Sequence, residues 1–268
     1  MQRITRVNNP PKLSVWVTST GRYNFVKETI DSFVKLCTYP NYEMLIIESQ
    51  MTKDSLRFFS PVNRDEEKTA EYINNLPTLY PHVKFRIFIQ PWKKLGAVYN
   101  QLLDMSADYY LNIEDDLVAL CDPHEQIVDA VKLLQADPLL FAVRQDLRDE
   151  TVYDGCTRFP VTKEAAGMKY VIWDWCSGGV QTIDVTKARQ AGRFNETHED
   201  DKYGQTEITQ TEQMRALGMY IGINLKYYGF LKHIGTRSIQ NAPREWSVEG
   251  YARSESRKWY GRGPDGTS

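Results

Sequence analysis

Tyr109–Leu117 reads YYLNIEDDL, a short apolar run that stops in three consecutive carboxylates, Glu114, Asp115 and Asp116. An apolar run of this length reads as a buried strand. At its end the acids would reach the rim of a parallel sheet, where open α/β folds bind ligands. Three adjacent carboxylates repel one another. They are tolerated when solvated, or when a divalent cation neutralises them. Hard oxygen ligands suit Mg2+ or Mn2+, and such a cation can hold a diphosphate. A solvated acidic turn is the plainer reading of the triplet taken alone, so the surrounding chain has to decide.

Upstream, strand and helix patterns alternate. Asn8-Asn9-Pro10-Pro11 breaks the chain, which puts the start of the fold near Lys12. Leu13–Thr18 is apolar and β-prone, and Thr20-Gly21-Arg22 turns it. Val26, Ile30, Phe33, Val34 and Cys37 then recur at helical spacing. After Tyr39-Pro40-Asn41 comes the strand Met44–Ile47, ending in Glu48. Asp65–Leu76 reads as a polar surface helix, Val83–Ile89 as a strand and Gly96–Met105 as a helix. Strands alternating with helices predict an α/β fold with a mostly parallel central sheet covered on both faces.

The second half is less regular. Pro123–Gln135 has a helix pattern and Leu139–Val143 a strand pattern. Asp146–Gly167 is polar and without a period. Tyr170–Cys176 and Val180–Ile183 read as strands around Ser177-Gly178-Gly179. Thr206–Leu217 is a helix that stops at Gly218, a position past the C-cap. These patterns divide the chain into an N-terminal arm (1–11), a ligand-binding half (12–120), a second half with a smaller acceptor-side region (121–240), and a tail (241–268).

Composition narrows the function classes. With 33 Lys plus Arg against 35 Asp plus Glu, the net charge is −2. No global field marks a nucleic-acid or membrane binder. No run of about 18 apolar residues occurs, and MQRITRVNNPPKL has no hydrophobic signal core. The expectation is a cytoplasmic protein with no membrane span. Cys37, Cys121, Cys156 and Cys176 are widely separated, with no CxxC pair, and are expected to be free thiols.

Five landmarks occur in order: strand-TSTGR-helix, strand-ending IIES, KLGAVYNQLL, NIEDD, and a late glycine-bounded helix with acids before it. In this order the chain resembles the nucleotide-sugar glycosyltransferases of the GT-A fold, the family 2 type in particular. LSVWVTSTGRYNFVKETIDSFVKLCTYPNYEMLIIES follows that family's opening layout. Gly96 to Asn100 matches its G-x-x-x-N stretch, and Glu114-Asp115-Asp116 its D-x-D. The resemblance covers about residues 12–235.

The resemblance implies an enzyme that transfers a sugar from a nucleotide-sugar donor, expected to be a UDP-sugar, using Mn2+ or Mg2+. Thr18, Thr20 and Arg22 would hold the nucleotide base and phosphates. Glu48 stands where the family has an aspartate, and its carboxylate would accept from uracil N–H or ribose hydroxyls. The surrounding Glu-Ser-Gln departs from the family's Asp-Asp-Gly-Ser. Gly96 would let the backbone approach the donor and Asn100 would hydrogen-bond a sugar or base. Asp116 is the first expected metal ligand, and Asp115 beside it would help bind the donor. Glu114 would reach the ribose or a metal-bound water, and His233 would supply an imidazole to the cation.

Catalysis with inversion requires a base. In the family it precedes a helix, about eleven residues before a glycine, which lands on Glu207. Asp200 and Asp201, with Glu199, are a rival source. Trp173, Asp174 and Trp175, before Gly178 and Gly179, resemble an acceptor-side wall, although Trp173 and Trp175 share one face of a strand and both could be core. The acceptor stays open between a saccharide, a small molecule, a protein and hydroxymethylated DNA bases. From Lys232 to Ser268 seven Lys/Arg face four acids among four aromatics, which keeps a phage-type DNA acceptor as an alternative. A pyrophosphorylase would need a more glycine-rich loop than TSTGR. A non-catalytic module that keeps the donor site is the remaining alternative.

Overall fold

A computed structural model describes residues 10–53, 55, 64–144, 161–173, 180–196, 205–224 and 230–234. Among the described residues eleven strands and six helices run in the order β1 (Leu13–Ser19), α1 (Tyr23–Leu36), β2 (Tyr42–Gln50), α2 (Glu66–Leu79), β3 (Lys84–Pro91), α3 (Leu95–Met105), β4 (Tyr109–Glu114), β5 (Leu117–Ala119), α4 (His124–Ala136), β6 (Leu140–Arg144), β7 (Thr162–Ala165), β8 (Met168–Trp173), β9 (Gln181–Asp184), α5 (Val185–Ala191), α6 (Gln205–Ala216), β10 (Tyr220–Asn224) and β11 (Leu231–His233).

Nine strands form one sheet in the order β3-β2-β1-β4-β9-β6-β10-β8-β7. The first four pair in parallel. β9 is antiparallel to both β4 and β6, and β8 is antiparallel to both β10 and β7. The other seven strands therefore share one direction, and the expected α/β fold with a mostly parallel sheet is what forms. The sheet runs without interruption from the first half of the chain into the second. β5 and β11 make a separate antiparallel pair just beyond the acidic turn.

Alternation along β1 assigns its two faces. Leu13, Val15 and Val17 face a core completed by α1, α2 and α4, through Val26, Ile30, Phe33, Tyr72, Ile73, Leu76, Ile127 and Leu134. Trp16 faces the opposite core with Val98, Leu102 and Leu103 of α3, Val185 and Ala188 of α5, and Met214 of α6. Each fully buried aliphatic side chain contributes roughly 1.5–3 kcal/mol, so both layers are strongly held. Trp16 stacks on Tyr110 at 3.7 Å between ring centroids and donates Nε1–H to Ser106 Oγ at 2.7 Å.

The second half is pinned by polar groups at its corners. Lys187 Nζ donates to the Leu134, Asp137 and Leu140 carbonyls at 3.1, 3.0 and 2.6 Å, tying α5 to the end of α4 and the start of β6. Asp184 caps α5, accepting from Thr186 N and Lys187 N. α6 ends in a Schellman arrangement. Met219 N reaches Met214 O, Gly218 N reaches Arg215 O, and Gly218 takes φ +68°.

Candidate active site

The site forms where the parallel strands end. β1 lies between β2 and β4, so register alone places Thr18 beside Glu114 and Ser19 beside Glu48. The chain then leaves β4 through Asp115 and Asp116 and enters β5. Pairing of β5 with β11 sets His233 opposite Leu117, one residue past Asp116, and Ile234 N donates to the Asp116 carbonyl at 2.9 Å. Two expected metal-site positions 117 residues apart in sequence thus share one corner. His233 is located there by its strand.

The acidic turn is not a solvated rim. Asp115 and Asp116 are only 5% and 4% exposed. Arg22, at the N-terminus of α1, forks across them. Its Nε and Nη2 take the two Asp115 oxygens, Nε at 3.0 Å, and Nη1 reaches Asp116 Oδ2 at 3.1 Å. The guanidinium also lies over the Phe25 ring at 5.3 Å. Burial works against the charge of Arg22, and the two aspartates outweigh it, so its pKa is raised. Burial pushes the Asp115 carboxyl up, against the pull of Arg22 and the weaker pull of Arg64. In this structure the guanidinium, expected at the donor phosphates, engages Asp116, expected at a cation, and Asp115, expected at the donor.

Glu48 is fully buried and pushed up to about 7, chiefly by burial and further by the charge of Asp115. Ser19 and Gly21 lie near enough to favour its charged form, yet neither oxygen closes a hydrogen bond of standard geometry. A buried carboxylate left in this state is costly unless a ligand satisfies it. Arg64, just before α2, donates Nη1 to the Thr20 carbonyl and hydroxyl. Glu66 accepts from Met51 N at 2.5 Å, and an added Cβ on Gly21 would meet its Cγ at 3.0 Å. Ser19, Arg64 and Glu66 escaped the sequence reading. Only the strand register reveals Ser19, and only a single basic residue ahead of the acidic start of α2 hints at Arg64.

Gly96 and Asn100 serve a different contact from the one expected. An added Cβ on Gly96 would stand 2.1 Å from the Asn195 carbonyl oxygen, so the close approach is to the chain itself. Asn100 is buried. It donates Nδ2 to the Phe194 carbonyl at 2.9 Å and to Glu196 Oε1 at 2.6 Å, and accepts from Phe194 N at 2.9 Å. Together they clasp the 194–196 strap onto α3. An open cleft of about 520 Å3 beside this clasp is lined by Lys93, Gln101, Asp104, Arg193 and Glu196, and by no residue of the acidic turn. Trp173 is buried in the α3-side core, with the Arg144 guanidinium 5.4 Å from its ring. It is a core residue here, the second of the two readings its strand position allowed.

Position 207 falls in the first turn of α6, as expected. Asp200, Asp201, Asp174, Trp175, Gly178 and Gly179 lie outside the described residues. Cys37 and Cys121 are free thiols. No described helix is long and apolar enough to cross a membrane.

No protein-family model and no curated protein matches the sequence. Solved structures do match. The chain is similar to the mannosyltransferase PcManGT from Pyrobaculum calidifontis in complex with GDP-Man and Mn2+, at 13% identity and TM-score 0.58, over 86% of this chain and 59% of that one. The fold is GT-A. Residues 1–349 of S. aureus TarS match the GT-A chain at 11% identity and TM-score 0.55, over 83% of it and 60% of TarS. The same TarS segment in complex with UDP matches at 12% and 0.54, over 82% and 60%. The chain thus spans about three-fifths of the length of these GT-A structures.

Proposed function

We propose that this chain is a glycosyltransferase that moves a sugar from a nucleotide-sugar, taken as a UDP-sugar, to an acceptor hydroxyl, with Mn2+ or Mg2+ and with inversion. One observation carries the reading. Strand register in a GT-A fold sets Thr18 beside Glu114, Ser19 beside Glu48, and position 233 opposite Leu117, the residue after Asp116. PcManGT is described with GDP-Man and Mn2+ and TarS with UDP, which supports a nucleotide donor and a cation of this class.

Glu48 would accept from the base N–H or the ribose, satisfying a carboxylate whose oxygens close no standard hydrogen bond within the protein. Thr18 and Thr20 would orient the donor from the end of β1. Asp116, Glu114 and His233 would offer two carboxylates and an imidazole, donor types suited to a hard or borderline divalent cation. When bound, that ion would supply positive charge to the leaving diphosphate. Glu207 would take the proton of the acceptor hydroxyl while its oxygen bonds the anomeric carbon and the donor's carbon–oxygen bond breaks toward the diphosphate. An anion in the first turn of α6 is favoured by the helix dipole. A soluble saccharide or other small hydroxyl compound in the cytoplasm is the acceptor class put forward.

Thermal denaturation with nucleoside diphosphates tests the class. UDP should stabilise more than GDP, ADP or CDP, and more with Mn2+ than with EDTA. At about 100 times the dissociation constant the gain is roughly 2.7 kcal/mol. No nucleotide-dependent shift under any metal condition would remove the reading.

A further inference from the structure

The acidic turn carries its own cation. Arg22 sets one positive charge against Asp115 and Asp116, with two contacts to Asp115 and one to Asp116. A divalent ion on Asp116 would lie against the guanidinium, and two cations in one buried corner repel. The asymmetry of the fork matters here. Letting go of Asp116 breaks one contact, at Nη1, and keeps the two to Asp115. Glu48 and Glu66 add carboxylates near Asp115, so an incoming diphosphate gains from added positive charge. Glu48 feels the charges of Asp115 and Glu66, while the arginines are held by Asp115, Asp116 and Thr20.

We infer that Arg22 is a competing ligand of the metal site. It neutralises Asp116 in the metal-free protein, and a divalent cation binds by displacing Nη1 from Asp116. The freed end of the guanidinium then turns to the donor diphosphate. Replacing the guanidinium end at Asp116 by a divalent charge, and turning that same end toward the phosphates, makes metal and nucleotide binding mutually reinforcing. This inference rests on the proposed metal site.

The test is Mn2+ affinity of the full chain, measured without nucleotide by electron paramagnetic resonance, for the wild type, Arg22→Gln and Asp116→Ala. Displacement requires Arg22→Gln to bind Mn2+ at least about tenfold more tightly than the wild type while losing most of the enhancement of Mn2+ affinity by UDP. Equal or weaker Mn2+ binding by Arg22→Gln, with binding abolished in Asp116→Ala, would overturn the competition and leave the metal site standing. No Mn2+ binding by the wild type or either variant would overturn both. Should Arg22→Gln fail to fold, the wild type answers alone. Its Arg22 Nη1–H nuclear magnetic resonance signal should move with the same midpoint as Mg2+ binding. A signal that stays fixed while Mg2+ binds would overturn the inference.

Discussion

The two halves of the sheet are built differently. β3, β2, β1 and β4 are neighbours joined through helices, all parallel, and their ends gather Thr18, Ser19, Glu48 and Glu114 in one row. The half from β9 to β7 reverses direction repeatedly and pairs strands far apart in sequence, with β10 inserted between β6 and β8. A repeated βα unit positions chemistry by register alone. The second half needs explicit fastenings, such as the Asn100 clasp, the Lys187 corner and the Gly218 stop. The proposed function puts donor binding in the first half and proton transfer in the second, and each of these proposals can be broken.

The largest expected effect separates the halves outright. Glu207→Gln, in the second half, should keep the UDP-dependent thermal shift and lose about 10²- to 10⁴-fold in turnover. Asp200→Asn and Asp201→Asn should be much milder. Near-normal turnover in Glu207→Gln with either aspartate variant inactive would move the base out of α6.

Next comes the seam between the halves. Asn100→Leu removes the partners of the Phe194 N–H and carbonyl inside the protein. It should cost about 2 kcal/mol in urea denaturation. A loss under 0.5 kcal/mol would mean that the strap is not fastened through this amide.

The first half has a pH signature. Folded Glu48 titrates near 7, above an ordinary carboxylate at 4.5, because of burial and then Asp115. Between those values the folded chain holds a proton that the unfolded chain has released. Stability from this group therefore falls as pH rises through that window and levels off above about 7. Glu48→Gln should raise the melting temperature relative to the wild type more at pH 8 than at pH 5. A difference that does not grow with pH would count against this environment.

Gly218→Ala is the mildest change, since φ +68° strains any side chain but nothing within 4 Å would meet the new Cβ. A loss of about 1 kcal/mol is expected in thermal melts.

Sequence periodicity was enough to read the first half because each strand and helix there is long and local. Gly218 and the acidic strand end were legible for the same reason. β5, β7 and β11 are three or four residues long and carry no period to detect. β10 and the capped α5 left usable signals, an apolar YIGIN run and Asp184 ahead of a helix. The partner of Arg22 could not be read from sequence, since a guanidinium suits a phosphate and a carboxylate equally well. Gly96 and Asn100 matched a family pattern whose spacing is also what a clasp on Phe194–Glu196 requires.

Lys187 gives the second half a chemical label of its own. All three of its N–H bonds point at carbonyls of the α4–β6 corner, and burial lowers its pKa. Such an ammonium must let go of these carbonyls and lose a proton before it can act as a nucleophile. Acylating reagents that modify surface lysines within minutes should reach it only when that corner opens. The rate of its modification, followed by mass spectrometry, would then time the local opening of this half of the protein, independently of any substrate.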